Sequence, residues 1–146
     1  MSSGIFSGGY SHNLDEKNRV IIPQKFRLKL GEKFIITRGL NGCLWILTDD
    51  MFRDLDQRLS TQPLLDENVL FLQRVFYGYA VETGTDPQGR VALPANLREV
   101  AGINKEVVII GTGRMIEIWS KERWEQFTAS ITDEDLSASA KAVQLA

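Results

Sequence analysis

The chain has 146 residues, of which 43% are hydrophobic and 25% are charged, and its formal net charge is −2. These values are ordinary for one compact globular domain. The sequence has no apolar run near the roughly 20 residues of a membrane span, and residues 1–10 lack the basic region and apolar core of a signal peptide. A single cysteine excludes an internal disulfide and is typical of a reducing compartment. We therefore expect a cytoplasmic protein without a membrane partner.

The charge is unevenly distributed. Residues 1–40 carry seven Lys and Arg against three Asp and Glu, whereas residues 41–86 carry three against eight. The distribution of charge matters more than its total for attracting nucleic acid. The basic N-terminal segment is therefore compatible with a nucleic-acid contact.

Hydrophobic periodicity and turn residues predict the elements of the first half. Strands are expected at 5–10, 20–22, 34–37 and 43–47, with a hairpin turn between the last two. A short helix at 24–30 should end at Gly31, and a second should run to Leu59 from a cap at Asp49 or Asp50. Asp66 should begin a helix at 67–77 that is apolar on most sides, which predicts burial.

The second half repeats this order. Strands are expected at 79–82, 91–93, 106–110 and 115–119, and a short helix at 95–101 should end at Gly102. Ser120 should begin another helix, and Thr132 or Asp133 should cap a last one at 135–145. The pattern predicts a β-rich α+β protein whose two similar halves share one core. We place the first half at 5–60, a helical connection at 61–77, and the second half with peripheral C-terminal helices at 78–146.

One stretch occurs twice, 71 positions apart. Residues 15–27 (DEKNRVIIPQKFR) and 86–98 (DPQGRVALPANLR) share Asp, Arg, Val, Pro and Arg, so five of thirteen positions are identical. In each copy an acidic residue opens a turn, an Arg leaves it, and Pro ends the short strand that follows. Two copies favour a duplicated half-domain over a solenoid, which needs at least about three repeats.

Two interpretations of this stretch remain open. In the first it is only a turn: Asp15 and Asp86 accept backbone N–H groups, Asn18 and Gly89 tolerate positive φ, and each Arg pairs locally. An exposed ion pair contributes little, however, and does not explain why the Arg occurs twice.

In the second interpretation, each loop contacts DNA, because Arg suits bidentate contact with guanine edges or phosphate. The candidate contact residues are Arg19, Arg90, Lys17 and Gln88. For Arg27 and Arg98, structural pairing, with the motif Asp as one possible partner, and DNA contact both remain open.

Catalytic and metal sites are poorly supported. Two repeated Asp residues resemble the dyad of aspartic proteases, but such sites need Asp-Thr/Ser-Gly, and here Asp15 is followed by Glu-Lys and Asp86 by Pro-Gln. One His and one Cys without metal-ligand spacing predict no metal. We expect no cofactor, no small-molecule substrate and no catalysis.

The motif F-x-G-x-Y-x-H-x-x-D-x-K-x-R-x-x-x-P at residues 6–23, followed by D-x-x-G-R at 86–90 with Pro94 and Arg98, resembles the MraZ family of bacterial transcriptional regulators. The resemblance covers nearly the whole chain. It implies a duplicated AbrB-like swapped-hairpin barrel, a ring-shaped homo-oligomer, nucleoid association, and binding of the D-x-x-x-R loops to direct repeats in double-stranded DNA. It also implies repression of its own division and cell-wall operon. Asn18 departs from the family pattern, which has Gly there.

The resemblance leaves two alternatives to a DNA-binding regulator. One is an antitoxin-like interaction module of the same fold that does not read DNA. The other, less favoured, is a two-carboxylate hydrolase.

Overall fold

A computed structural model describes residues 4–146. Its eight strands are β1 Phe6–Asn13, β2 Arg19–Ile21, β3 Phe34–Arg38, β4 Leu44–Leu47, β5 Val81–Thr83, β6 Arg90–Ala92, β7 Glu106–Gly113 and β8 Ile116–Ser120. Its six helices are α1 Gln24–Leu30, α2 Asp49–Ser60, α3 Glu67–Gly78, α4 Ala95–Val100, α5 Lys121–Ala129 and α6 Asp133–Ala142. The β-rich α+β prediction is confirmed, and none of the helices within 4–146 is both long and apolar enough to span a bilayer.

Six strands form one antiparallel sheet in the order β1-β7-β8-β4-β3-β5, and β2 pairs with β6 in a separate ribbon. The two sequence repeats exchange strands within the large sheet. The first strand of the first repeat, β1, pairs with β7 of the second, and β5 of the second pairs with β3 of the first. The ribbon also takes one strand from each repeat. The repeats are thus interleaved around one sheet.

The central strands are buried on both faces, as their continuous apolar sequence requires. Along β4, Leu44 and Ile46 pack into one core cluster, and Trp45 and Leu47 pack into a second. The first cluster fills the space between the large sheet, the ribbon, α1 and α4. The second lies between the opposite face of the sheet and helices α2, α3 and α5. The ribbon is therefore fixed to the core through its apolar side.

Most predicted elements are confirmed, with shifted ends. The predicted cap of α2 is wrong: the Thr48 hydroxyl, not Asp49 or Asp50, accepts the Met51 N–H at 3.1 Å, because a residue just before the first turn is in position to bond that donor. Of the two predicted caps of α6, Thr132 or Asp133, the cap is Thr132, whose side chain accepts the Asp135 N–H.

The predicted burial of α3 is wrong in extent. Only Val69 and Phe76 are buried, and Phe71 is 63% exposed. One face of α3 packs on the second core cluster, and the apolar side that carries Phe71 faces solvent.

Candidate nucleic-acid interface

The β2–β6 ribbon brings the two copies of the repeated motif together. Val20 pairs with Val91 at its centre, and both side chains are buried. The motif arginine is the first residue of each strand, Arg19 in β2 and Arg90 in β6, directly before the buried valine. Strand residues alternate between the two faces of a ribbon, so Arg19 and Arg90 lie on the face opposite the buried valines. Ion pairs connect each arginine to the turn of the other copy, residues 86–89 for Arg19 and 15–18 for Arg90. We call these two turns, each with the arginine that follows it (residues 15–19 and 86–90), the twin loops.

Asp15 builds the first of the twin loops. Its Oδ1 accepts the backbone N–H groups of Lys17 and Arg19, both at 2.9 Å, and its Oδ2 accepts Arg19 Nε at 2.8 Å. The Asn18 N–H closes the turn on the Asp15 carbonyl at 2.9 Å, and Asn18 has φ 59°. This is the left-handed region that Asn tolerates better than other side chains. The turn therefore forms with Asn18, rather than a glycine, at this position.

Asp86 builds the second loop in the same way. Its carboxylate accepts the N–H groups of Gln88 and Arg90 at 3.0 and 2.8 Å and Arg90 Nε at 2.8 Å. Gly89, with φ 80°, takes the left-handed position. The two turns thus have the same hydrogen bonds and the same left-handed residue position, and the loop-shaping roles of both Asp residues, Asn18 and Gly89 stay a prediction.

Ion pairs also cross between the loops. Arg19 Nη1 lies 3.8 Å from Asp86 Oδ2, and Arg90 Nη1 lies 3.7 Å from Asp15 Oδ2. All four side chains are between 25% and 32% exposed. The two arginines therefore lie side by side, each held by one carboxylate through Nε and approached by the other. The sequence predicted two similar loops but not this mutual contact.

Hydrogen bonds lower the pKa of both motif carboxyls. The backbone N–H of Arg19 contributes most for Asp15, and that of Arg90 for Asp86; partial desolvation opposes the shift in each case. Both groups are consequently ionised near neutral pH. An aspartic dyad instead shares a proton, with one pKa raised by the neighbouring negative charge. This arrangement argues against a two-carboxylate hydrolase, and residues 4–146 hold no cluster of three or more His, Cys, Asp or Glu that suits a metal ion.

The remaining two candidate residues differ between the loops. Lys17 is exposed at the tip of the first loop. At the matching position Gln88 is also exposed, but its Oε1 accepts a hydrogen bond from Arg90 Nη2 at 3.2 Å. In the second loop, two side chains thus hold Arg90: the Asp86 carboxylate and the Gln88 amide.

Arg27 and Arg98 bond backbone carbonyls rather than the motif Asp residues. Arg27 Nε donates to the Ile22 carbonyl and Arg98 Nε to the Leu93 carbonyl, each at 2.9 Å. The guanidinium of Arg27 also covers Gly89, which is buried. Their place in the repeat was the signal in the sequence. Each carbonyl partner lies five residues earlier in the chain, whereas the contact of Arg27 with Gly89 depends on how the halves interleave.

Replacing Gly89 with alanine should destabilise the protein by about 1–2 kcal/mol, the cost of a left-handed backbone for a residue with Cβ. The new Cβ would also lie 2.6 Å from Arg27 Cζ, so that side chain must move. Gly89→Asn copies the first loop and should cost less than Gly89→Ala. Urea unfolding at fixed protein concentration measures both changes.

Gly113→Ala is the matched control for this substitution. Gly113 has φ 93°, and no neighbouring atom lies within 4 Å of the position that a Cβ would take there, so its cost comes from the backbone alone. A Gly89→Ala variant as stable as the parent would contradict the requirement for a left-handed turn.

Comparison with known proteins agrees with the duplicated architecture. The family model described as "MraZ protein, putative antitoxin-like" matches residues 5–73 and again 76–146. Among curated proteins, "Transcriptional regulator MraZ" of Clostridium acetobutylicum is 46% identical over 129 residues, covering 88% of this chain and 91% of that protein. The protein of the same name from Acetivibrio thermocellus is 43% identical over 142 residues, covering 97% of each chain. By both measures, this chain belongs to the MraZ family.

Proposed function

We propose that this protein is a sequence-specific DNA-binding transcriptional regulator that contacts DNA through the twin loops. The observation that carries the proposal is the juxtaposition of Arg19 and Arg90 on one surface, each held by a carboxylate through Nε. A guanidinium fixed in this way keeps its terminal nitrogens in a defined orientation, which bidentate contact with a guanine edge requires. The relatives named as transcriptional regulators support the same role.

The finer parts of the proposal concern assembly and target. We propose a swapped-hairpin barrel with halves at 5–60 and 78–146 joined by 61–77, a ring-shaped homo-oligomer, and repression of its own operon through direct repeats. Large exposed apolar side chains support self-association; they include Leu64, Leu65, Phe71 and Leu136. An oligomer would present many twin loops, so weak contacts with successive repeats would be strengthened by avidity. Such a protein would act at the nucleoid in the cytoplasm.

A second candidate, an interaction module that does not read DNA, is favoured by one observation. In the twin loops, the arginines are already paired with Asp15 and Asp86, so the loops are stable without a ligand. The family description as antitoxin-like is compatible with it.

Fluorescence anisotropy with DNA from upstream of the protein's own gene separates the two candidates. We expect tight binding that weakens steeply with salt, because phosphate contacts release counterions, and clear preference for the native duplex over a scrambled one. Light scattering on the same sample reports the size of the assembly. Equal or absent binding by a folded oligomer would exclude sequence-specific regulation and leave the interaction module.

A further inference from the structure

The twin loops carry no net charge. Residues 15–19 and 86–90 contain three cations, Lys17, Arg19 and Arg90, and three anions, Asp15, Glu16 and Asp86. The attraction of a protein to DNA depends on cations that neutralise phosphates and release counterions. If this surface binds DNA, the excess positive charge must come from residues beside the loops.

Arg27 borders the second loop although it belongs to the first repeat. The Ile22 N–H donates to the Gly89 carbonyl at 2.9 Å, and the Ile22 carbonyl accepts Arg27 Nε at 2.9 Å. A Cβ on Gly89 would lie 2.6, 2.7 and 2.9 Å from Cζ, Nε and Nη1 of Arg27. The charged end of Arg27 therefore rests on the turn that precedes Arg90.

Arg98 has the corresponding place beside the first loop. The Leu93 N–H donates to the Asn18 carbonyl at 3.0 Å, and the Leu93 carbonyl accepts Arg98 Nε at 2.9 Å. Each of these two arginines is thus joined to the loop of the other repeat through the residue whose carbonyl it bonds. We call Arg27 and Arg98 the flanking arginines.

The flanking arginines differ from Arg19 and Arg90 in their partners. Within residues 4–146, no carboxylate lies within 4.0 Å of Arg27 or Arg98. In each of these two side chains, only Nε donates a hydrogen bond to an acceptor in this part of the chain. Both are half-buried, so the carbonyl bond and packing orient the guanidinium and leave its terminal nitrogens available. No carboxylate compensates the charge of Arg27 or Arg98, whereas Asp15 and Asp86 compensate the charges of Arg19 and Arg90.

We propose that Arg27 and Arg98 are phosphate-binding residues that supply the salt-dependent part of DNA affinity, whereas Arg19 and Arg90 read base edges. This division of roles rests on the proposed function. It places the electrostatic contact on α1 and α4, next to the loops rather than in them. Lys17, exposed at the tip of the first loop, adds to the same contact.

The double variant Arg27→Gln/Arg98→Gln tests this division in the full-length protein. Anisotropy at several salt concentrations should show a slope of log affinity against log salt that is smaller by about one per cation removed in each bound chain. Affinity for native and scrambled duplexes should fall by the same factor, so their ratio should not change. Arg27→Lys/Arg98→Lys keeps the charges and should keep most of the slope.

Arg53→Gln/Arg58→Gln on α2 removes the same charge away from the loops and should leave the slope unchanged. A parental slope in the Arg27→Gln/Arg98→Gln protein, with the oligomer intact by light scattering, would overturn the inference while the proposed function stands. The inference would also be overturned if Arg53→Gln/Arg58→Gln reduced the slope equally, or if Arg27→Gln/Arg98→Gln lost the preference for the native duplex. If the double variant does not assemble, the single variants Arg27→Gln and Arg98→Gln replace it, and each should show half the change in slope. Absence of binding by the parent protein would overturn the proposed function and this inference with it.

Discussion

Replacing Arg19 or Arg90 with alanine is expected to weaken binding to the native duplex by about 1–3 kcal/mol for each arginine–base pairing removed from a bound chain. This corresponds to a dissociation constant roughly 5- to 150-fold larger. The physical reason is twofold. The variant lacks a fork of donors already oriented by a carboxylate, and it leaves Asp15 or Asp86 with less compensation beside the DNA phosphates. Anisotropy with native and scrambled duplexes measures both the affinity and the preference.

Lysine at the same position separates charge from geometry. Arg19→Lys keeps the positive charge but replaces the planar fork by a single ammonium group. We expect it to retain binding to the scrambled duplex and to lose preference for the native one.

Arg53→Ala is a closely matched control for this prediction. Arg53 also donates through Nε to an Asp four residues earlier, Asp49, at 2.7 Å, but it lies on α2. It should bind DNA as the parent does. If Arg19→Ala and Arg90→Ala also bind like the parent, the repeated motif is only a turn that shapes the ribbon.

Local chemistry explains what the sequence could predict. The side chains of Asp15 and Asp86 bond donors two and four residues away, so the repeated motif contained nearly all the information needed for each turn. The same holds for α1, which ends at Gly31 with φ 80° as expected. These features depend on residues close together in the chain.

Features that depend on how the repeats interleave could not be predicted from the sequence. The pairing of β1 with β7 joins residues about 100 positions apart, as in Phe6 with Gly113, and no local pattern specifies such a partner. The cross-loop ion pairs and the packing of Arg27 on Gly89 follow from that interleaving. Periodicity also overestimated the burial of α3, because it reports apolar character and not whether another element covers it.

The second large effect is expected in the core. Phe26 on α1 has no exposed surface, and its ring meets Phe6 and Tyr10 of β1 edge to face, with centroids 5.7 and 5.5 Å apart. Phe26→Ala should lower the free energy of unfolding by about 3–5 kcal/mol, the range for truncating a buried aromatic side chain. Urea unfolding followed by circular dichroism, at fixed protein concentration, measures the loss. Leu28→Ala on the same helix, where the side chain is 78% exposed, should change stability by less than about 0.5 kcal/mol.

The size of the Phe26→Ala effect also tests how the interleaved strand is held. β1 is an edge strand of the large sheet, bonded on one side to β7 of the other repeat and packed on α1 of its own. If the loss is close to that of an exposed leucine, pairing with β7 alone holds β1, and the aromatic contact is dispensable. If it is large, α1 is the element that fixes β1 in place. Because α1 also carries Arg27, the same helix would then join the core to the surface proposed to bind phosphate.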